Sequence, residues 1–343
     1  MFTIYLFPLL IAMFLALTMG GSGTAPAFSA AYGANLIRKD LIPGLFGVMV
    51  FAGAIIAGKQ VAQTLGQGII ESSALNITLT SIILLSVALS LFFANLLGVP
   101  QSTSQSTVFA LSGPAIYFDK FDSNRLFVEI IPVWFVLPVI AFLIIYFGGK
   151  YIFFPLRKRN KNFFIQLASH RFLKSIVIVS SCYVAFSIGS NNVGNASGPI
   201  ASMVTNELNI DNSGSNGALV LIVITLIIAP CFGIGSSIFG YKLVRSSGKD
   251  LINIGPLAAS AISFLTATLL LFASVVKGIP TSLVQLNTGA IIALGITKVG
   301  WKTIMSDPNV KKFWIVWIIA PLFSLFLSFL LTFIADQLNY LDL

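Results

Sequence analysis

Four short polar segments interrupt the apolar runs of this chain, and their residue types suit the binding of an anion. The first is Gly20-Gly21-Ser22-Gly23-Thr24-Ala25-Pro26, and the second is Gly189-Ser190-Asn191-Asn192-Val193-Gly194-Asn195. The other two are Gly98-Val99-Pro100-Gln101-Ser102-Thr103-Ser104-Gln105 and Gly278-Ile279-Pro280-Thr281-Ser282-Leu283-Val284-Gln285. Three glycines and a proline predict that the first segment ends a helix and frees its amide groups. Pro100 and Pro280 fit the first turn of a new helix, with Ser102 and Ser282 close to its start. A helix start offers orphan N–H donors and partial positive charge, while hydroxyls and carboxamides add donors without charge. Four helix starts are therefore expected to converge on one anion. Its ligands would be Ser102, Thr103, Ser104, Asn191, Asn192, Asn195 and Ser282, with Ser22, Thr24, Gln105, Thr281 and Gln285 in support. Gly20, Gly21, Gly23 and Gly189 are assigned to close backbone approach. With no base or ligand cluster among these hydroxyls, neither a catalytic residue nor a metal site is expected, and the chain is not read as an enzyme.

The elements that must position these segments are membrane helices. Of 343 residues, 57% are hydrophobic and 9% charged, with a mean hydropathy of +0.95; a soluble domain carries about 25% charged residues. Apolar stretches long enough to span a bilayer recur at 2–18, 75–97, 131–154, 172–189, 217–239, 253–276 and 313–334. Backbone groups in lipid must be satisfied internally, so the predicted fold is an all-α polytopic bundle. The stretch from Phe2 to Leu17 lacks a positive leader region and reads as the first membrane helix rather than a secretion signal. Cys182 and Cys231 lie inside apolar segments and read as packing residues.

The net charge of +9 raises nucleic acid as a partner, but its placement speaks for a bilayer. With five crossings per half and both termini outside, only Lys59, Lys120, Arg125 and Lys277 of the 20 Lys and Arg lie outside. Only Asp40, Asp250 and Asp307 of the 11 acidic residues lie inside. This is the positive-inside bias of a multi-pass inner-membrane protein. The lone His170 falls in the basic central loop and reads as solvated.

The chain also matches itself. Gly20 returns at Gly189, the run Gly58 to Gly66 at Gly240 to Gly248, Gly98 at Gly278, and the Trp134/Pro138 pair at Trp317/Pro321, with offsets of 169, 182, 180 and 183 residues. Residues 1–156 and 172–343 are accordingly read as two repeats joined by a basic cytoplasmic linker at 157–171. An odd number of crossings in each half makes them antiparallel, the arrangement of secondary transporters that bind substrate at the repeat interface.

At these segments the chain resembles the PiT family of inorganic phosphate transporters. Gly189 to Pro199 resembles the family's Gly-Ala-Asn-Asp-Val-Ala-Asn-Ala signature, Gly20 to Ala27 does so loosely, and Gly98–Gln105 and Gly278–Gln285 resemble its Gly-x-Pro-x-Ser-Thr-Thr-His signature. The resemblance implies inverted repeats, broken helices, a central oxyanion site and a homodimer. The signature Asp falls on Gly23 and Asn192, and the signature His on Gln105 and Gln285. Hydrogen phosphate can donate its proton to a carboxylate, whereas sulfate has none to give and would meet a like charge in low dielectric. The pattern resembles the CysP-type sulfate permease branch of the family, so sulfate is the expected substrate, with thiosulfate, selenate and molybdate as related oxyanions. A coupling cation, Na⁺ or H⁺, is expected to accompany it. A phosphate symporter of the same fold, or a passive anion channel or exchanger, is the alternative.

Overall fold

A computed structural model describes residues 2–98, 101–211, 214–241, 244 and 255–341. The expectations placed on Val99, Pro100, Lys242, Arg245, Gly248, Lys249 and Asp250 lie outside them. The described residues form helices and connecting turns, with no strand among them. The helices are α1 (Phe2–Gly33), α2 (Ile42–Ala57), α3 (Lys59–Gln67), α4 (Ile77–Leu96), α5 (Thr103–Tyr117) and α6 (Arg125–Arg159). After α7 (Lys161–Ser169) come α8 (Arg171–Asn192), α9 (Gly194–Glu207), α10 (Ser215–Gly240), α11 (Pro256–Lys277), α12 (Leu283–Val299) and α13 (Pro308–Gln337).

Among the described residues, 8 helical stretches are long and apolar enough to cross a membrane, with α8 and α9 counted as one. The sequence suggests ten crossings; the difference lies in α5 and α12, of 15 and 17 residues. At 1.5 Å per residue these fall short of a hydrocarbon core of about 30 Å. Both start among buried residues: Ser102, Thr103 and Ser104 before and in α5, Ser282 and Leu283 at α12.

The expected break at Gly20–Pro26 does not form, because α1 runs as a helix of 32 residues straight through it. Pro26 removes one helical bond, while Ser22 Oγ donates to Met19 O at 3.1 Å and Thr24 Oγ1 to Gly20 O at 2.7 Å, within the same turns. Propensity costs of about 1 kcal/mol per glycine are small beside the packing of a fully surrounded helix. The partner segment is barely interrupted: only Val193 leaves the helical bonding pattern, and its φ of -61° and ψ of -35° remain helical. The structure thus offers two helix starts near the bundle centre, those of α5 and α12, where the sequence suggests four.

Lipid tails are as apolar as Leu, so helices in a membrane associate through close packing at small residues. Here α1 crosses α10 where Gly20 meets the backbone of Phe232 and Gly235 meets that of Leu17. In the same way α8 crosses α2 where Gly189 meets Val50 and Gly53 meets Phe186. In each case an added Cβ would sit closer than 3.0 Å to a carbonyl. The last helices are exchanged: α13 packs along α5, and α6 along α12. Around these crossings Phe28, Phe46 and Phe232 are fully buried.

The other expectations divide. His170 is exposed, and its Nδ1 accepts from Phe172 N at 3.1 Å to cap α8. Cys182 and Cys231 are both unbridged thiols, one half-buried on α8 and one buried on α10. Lys120 pairs with Glu71 at 3.5 Å, and with Ser73 holds that exposed carboxyl below its usual pKa; the Ser73 hydrogen bond is the larger cause.

Candidate functional site

The links before α5 and α12 are built alike. Gly98 ends α4 and Gly278 ends α11, with φ of +68° and +62°, the left-handed conformation that lets a helix stop. Ser102 and Ser282 then cap the next helices: each backbone is extended, and each Oγ accepts from the N–H three residues on, Gln105 N at 3.3 Å and Gln285 N at 3.2 Å. The first backbone bonds of the two helices run from Ser106 N and Leu286 N to the cap carbonyls. The N–H groups of Thr103, Ser104, Leu283 and Val284 make no hydrogen bond among the described residues.

Those four residues line one partly open cavity of ≈ 20 Å³. Ser22, Gly23 and Pro26 of α1, Ile188 and Asn192 of α8, and Gln101, Ser102, Thr281 and Ser282 complete its wall. Among the described residues, no ionisable side chain lines it. Two macrodipoles of about half a charge each therefore supply its positive potential, and neutral groups supply the remaining donors. Asn192 accepts from Asn191 Nδ2 at 2.9 Å, and its own amide hydrogens make no hydrogen bond among the described residues.

Of the residues expected to act together, the structure gathers Ser22, Ser102, Thr103, Ser104, Asn192, Thr281 and Ser282 around this space. The other five lie elsewhere. Thr24 turns away to Ser236 Oγ at 2.8 Å. Gln105 and Gln285 bind one another reciprocally, Nε2 to Oε1, at 3.0 and 2.9 Å, which consumes the faces a ligand would need. Asn195 is wholly buried off the cavity wall, and neither side-chain atom has a hydrogen-bond partner among the described residues.

Asn191 does not line the cavity, and its carboxamide is hydrogen-bonded within the protein. Its Nδ2 donates to Ser104 Oγ at 3.1 Å and Thr281 O at 2.7 Å, and its Oδ1 accepts from Thr281 N at 3.0 Å and Ser274 Oγ at 3.1 Å. One carboxamide thus ties α8 to both helix starts, while Trp134 Nε1 of α6 holds Pro280 O at 2.8 Å from the far side. Removing it orphans several buried groups at once. Asn191→Ala is expected to destabilise the protein by about 3 kcal/mol, measured as a lower melting temperature in detergent; an unchanged midpoint would return Asn191 to the list of ligands.

Sequence reasoning missed Gln101, which lines the cavity at 3% exposure and donates to Ser90 Oγ at 3.0 Å and Ser106 Oγ at 2.9 Å. The available signal was its position, matched to Thr281 in the other link. The apolar wall of Ile188, Leu283 and Val284 carried no signal at all.

Residues 19–328 match the model of the phosphate transporter family. The chain is 31% identical over 334 residues to the sulfate permease CysP of Bacillus subtilis, covering 97% of this chain and 88% of that protein. It is 25% identical to a protein of the same organism named as a probable low-affinity inorganic phosphate transporter, covering 93% of each. In three dimensions it is similar to the solved structure of a sodium-dependent phosphate transporter, with a TM-score of 0.82, 20% identity, and coverage of 98% of this chain and 99% of that one.

Proposed function

Since the chain belongs to the phosphate transporter family, a family of multi-pass anion transporters, we propose that it imports sulfate across the cell membrane by secondary active transport. The observation that carries this reading is the central cavity: two helix starts with N–H groups still unbonded, hydroxyls and a carboxamide line it, and among the described residues no ionisable side chain does. Its polar groups can donate to a fully deprotonated oxyanion, and no charged side chain of the described residues repels it. Hydrogen phosphate would arrive with one proton to donate and meet no carboxylate to accept it.

The charge balance calls for a cation. Two helix starts supply about one positive charge against two negative ones. Import against 100 mV inside negative costs about 4.6 kcal/mol for a dianion. A co-transported Na⁺ or H⁺ offsets both, and the buried Asn195 carboxamide is the described group best suited to offer an oxygen to a desolvated cation. Residues 1–156 and 172–343 are proposed as inverted halves around the 157–171 linker, both termini outside. In support, the α1/α10 and α8/α2 crossings pair residues related by the offsets of 169 and 182.

The test is uptake by purified protein in liposomes, with labelled sulfate or phosphate and with Na⁺ and pH gradients imposed separately. Sulfate is expected to accumulate above its electrochemical equilibrium under one gradient, with phosphate taken up at least tenfold more slowly. Preferential phosphate uptake would overturn the substrate, and equilibration without accumulation would leave a passive pathway.

A further inference from the structure

A second cavity, sharing no lining residue with the first, lies between α3, α9 and the start of α10 and encloses ≈ 210 Å³. Its place in the molecule follows from α6. Arg125 Nη2 donates to Thr64 Oγ1 of α3 at 3.4 Å. Arg157, Lys158 and Arg159 end the same 35-residue helix, about 50 Å away. The cavity therefore opens at the end of the bundle remote from the basic linker.

Lys59, Gln63 and Gln67, four residues apart, form one stripe of α3 along its wall. Lys59 makes no salt bridge among the described residues. On the facing wall Ser202 is 3% exposed and lines the cavity, yet its hydroxyl makes no hydrogen bond among the described residues. Packing holds it there, because an added Cβ at Gly66 would collide with Ser202 Oγ and Gly198 O. Helix α10 starts beside it at Gly214, which offers no side-chain cap, and Ser215 of its first turn lines the same space. The carboxylate of Asp211 stands near the rim, its Oδ2 3.5 Å from where a Cβ on Gly214 would stand.

An ammonium, a buried hydroxyl and a helix start, each without a partner side chain among the described residues, thus surround with two carboxamides a space about ten times the volume of the central one. We propose that this is a second anion site, where a tetrahedral oxyanion docks outside the central cavity and is concentrated ahead of transport. The choice of sulfate as its ligand rests on the function proposed above; the site itself does not. A phosphate-bearing lipid headgroup has the same chemistry, so the test separates the two.

The experiment is equilibrium dialysis of labelled sulfate against the full-length protein in a neutral, lipid-free detergent, paired with uptake in liposomes. Two sulfates are expected per chain, falling to one in Lys59→Gln and returning to two in Lys59→Arg. The Ser102→Ala/Ser282→Ala double variant is expected to keep one, which Lys59→Gln then removes. In uptake, Lys59→Gln is expected to raise KM about threefold or more at low ionic strength with kcat unchanged, and the effect should fade in high salt. Wild-type stoichiometry and KM in Lys59→Gln would overturn the site. So would sulfate failing to bind there while added phosphatidylglycerol does, which would assign it to lipid. A double variant that binds two sulfates would instead sink the central reading and leave this one standing.

Discussion

Replacing Asn192 with Asp is expected to lower sulfate uptake at pH 7 by two to three orders of magnitude. Asn192 lines the central cavity, and only neutral groups share that wall. An ionised carboxylate about 5 Å from a dianion would cost about 7 kcal/mol at an effective dielectric constant of 20. The cheaper route is to protonate it: an ordinary Asp, with a pKa of about 3.9, pays about 4 kcal/mol to be neutral at pH 7. That sets the ceiling near a thousandfold. The sign with pH follows. A neighbouring dianion raises the carboxyl's pKa, so substrate binding is intact only below the free value of about 3.9 and weakens about tenfold per pH unit from there up to the raised one. Uptake by the variant should therefore recover between pH 8 and pH 5, while the wild-type site, with no titratable lining, stays level across that window. Phosphate, which can share its proton, should lose less than sulfate. Normal sulfate uptake by Asn192→Asp at pH 7 would refute the like-charge argument.

A single methyl group at Gly189 or Gly20 is expected to be as damaging for a different reason. At Gly189 the new carbon would lie closer than 3.0 Å to Val50 O and 2.9 Å from Ala54 N; at Gly20 it would meet Phe232 O. Backbone cannot rotate aside as a side chain can, so α8 must lift off α2, and α1 off α10. Overpacking of this kind costs about 3 kcal/mol or more. In this protein it also displaces Ser22 or Asn192 from the cavity wall. Gly189→Ala and Gly20→Ala should each lose most of their uptake and melt well below wild type in detergent. Gly44→Ala is the control: it lies in α2 with nothing within 4 Å of its added carbon, and both readouts should stay at or slightly above wild type. Equal behaviour of the three variants would mean the crossings are looser than they stand here.

The contrast between these positions shows what a sequence carries and what it withholds. The offsets of 169 and 182 were visible as residue types, and they return in space as matched crossings: Gly20 against Phe232 beside Gly189 against Val50, and Gly235 against Leu17 beside Gly53 against Phe186. Ser102 and Ser282 were legible for a local reason, since a cap is decided within four residues of chain. The helix through Gly20–Pro26 was misread by the same local logic, because its continuity is imposed by α10 and α2 packed around it. Asn191 could not be told from Asn192 by type. One is spent on Ser104, Ser274 and Thr281, partners 83 to 90 residues away, while the other keeps its amide hydrogens for the cavity. Lys59 and Ser202 likewise meet across a space that no local pattern encodes.

The mutual embrace of Gln105 and Gln285 bears on how such a molecule moves. Each carboxamide gives one hydrogen and takes one, so the ring is closed, neutral and indifferent to acidity. Prising α5 from α12 would snap both links together, at about 2 kcal/mol. Opening the central chamber to either side is easier if this dimer of amides rides intact, as the axle, while the surrounding helices swing about it.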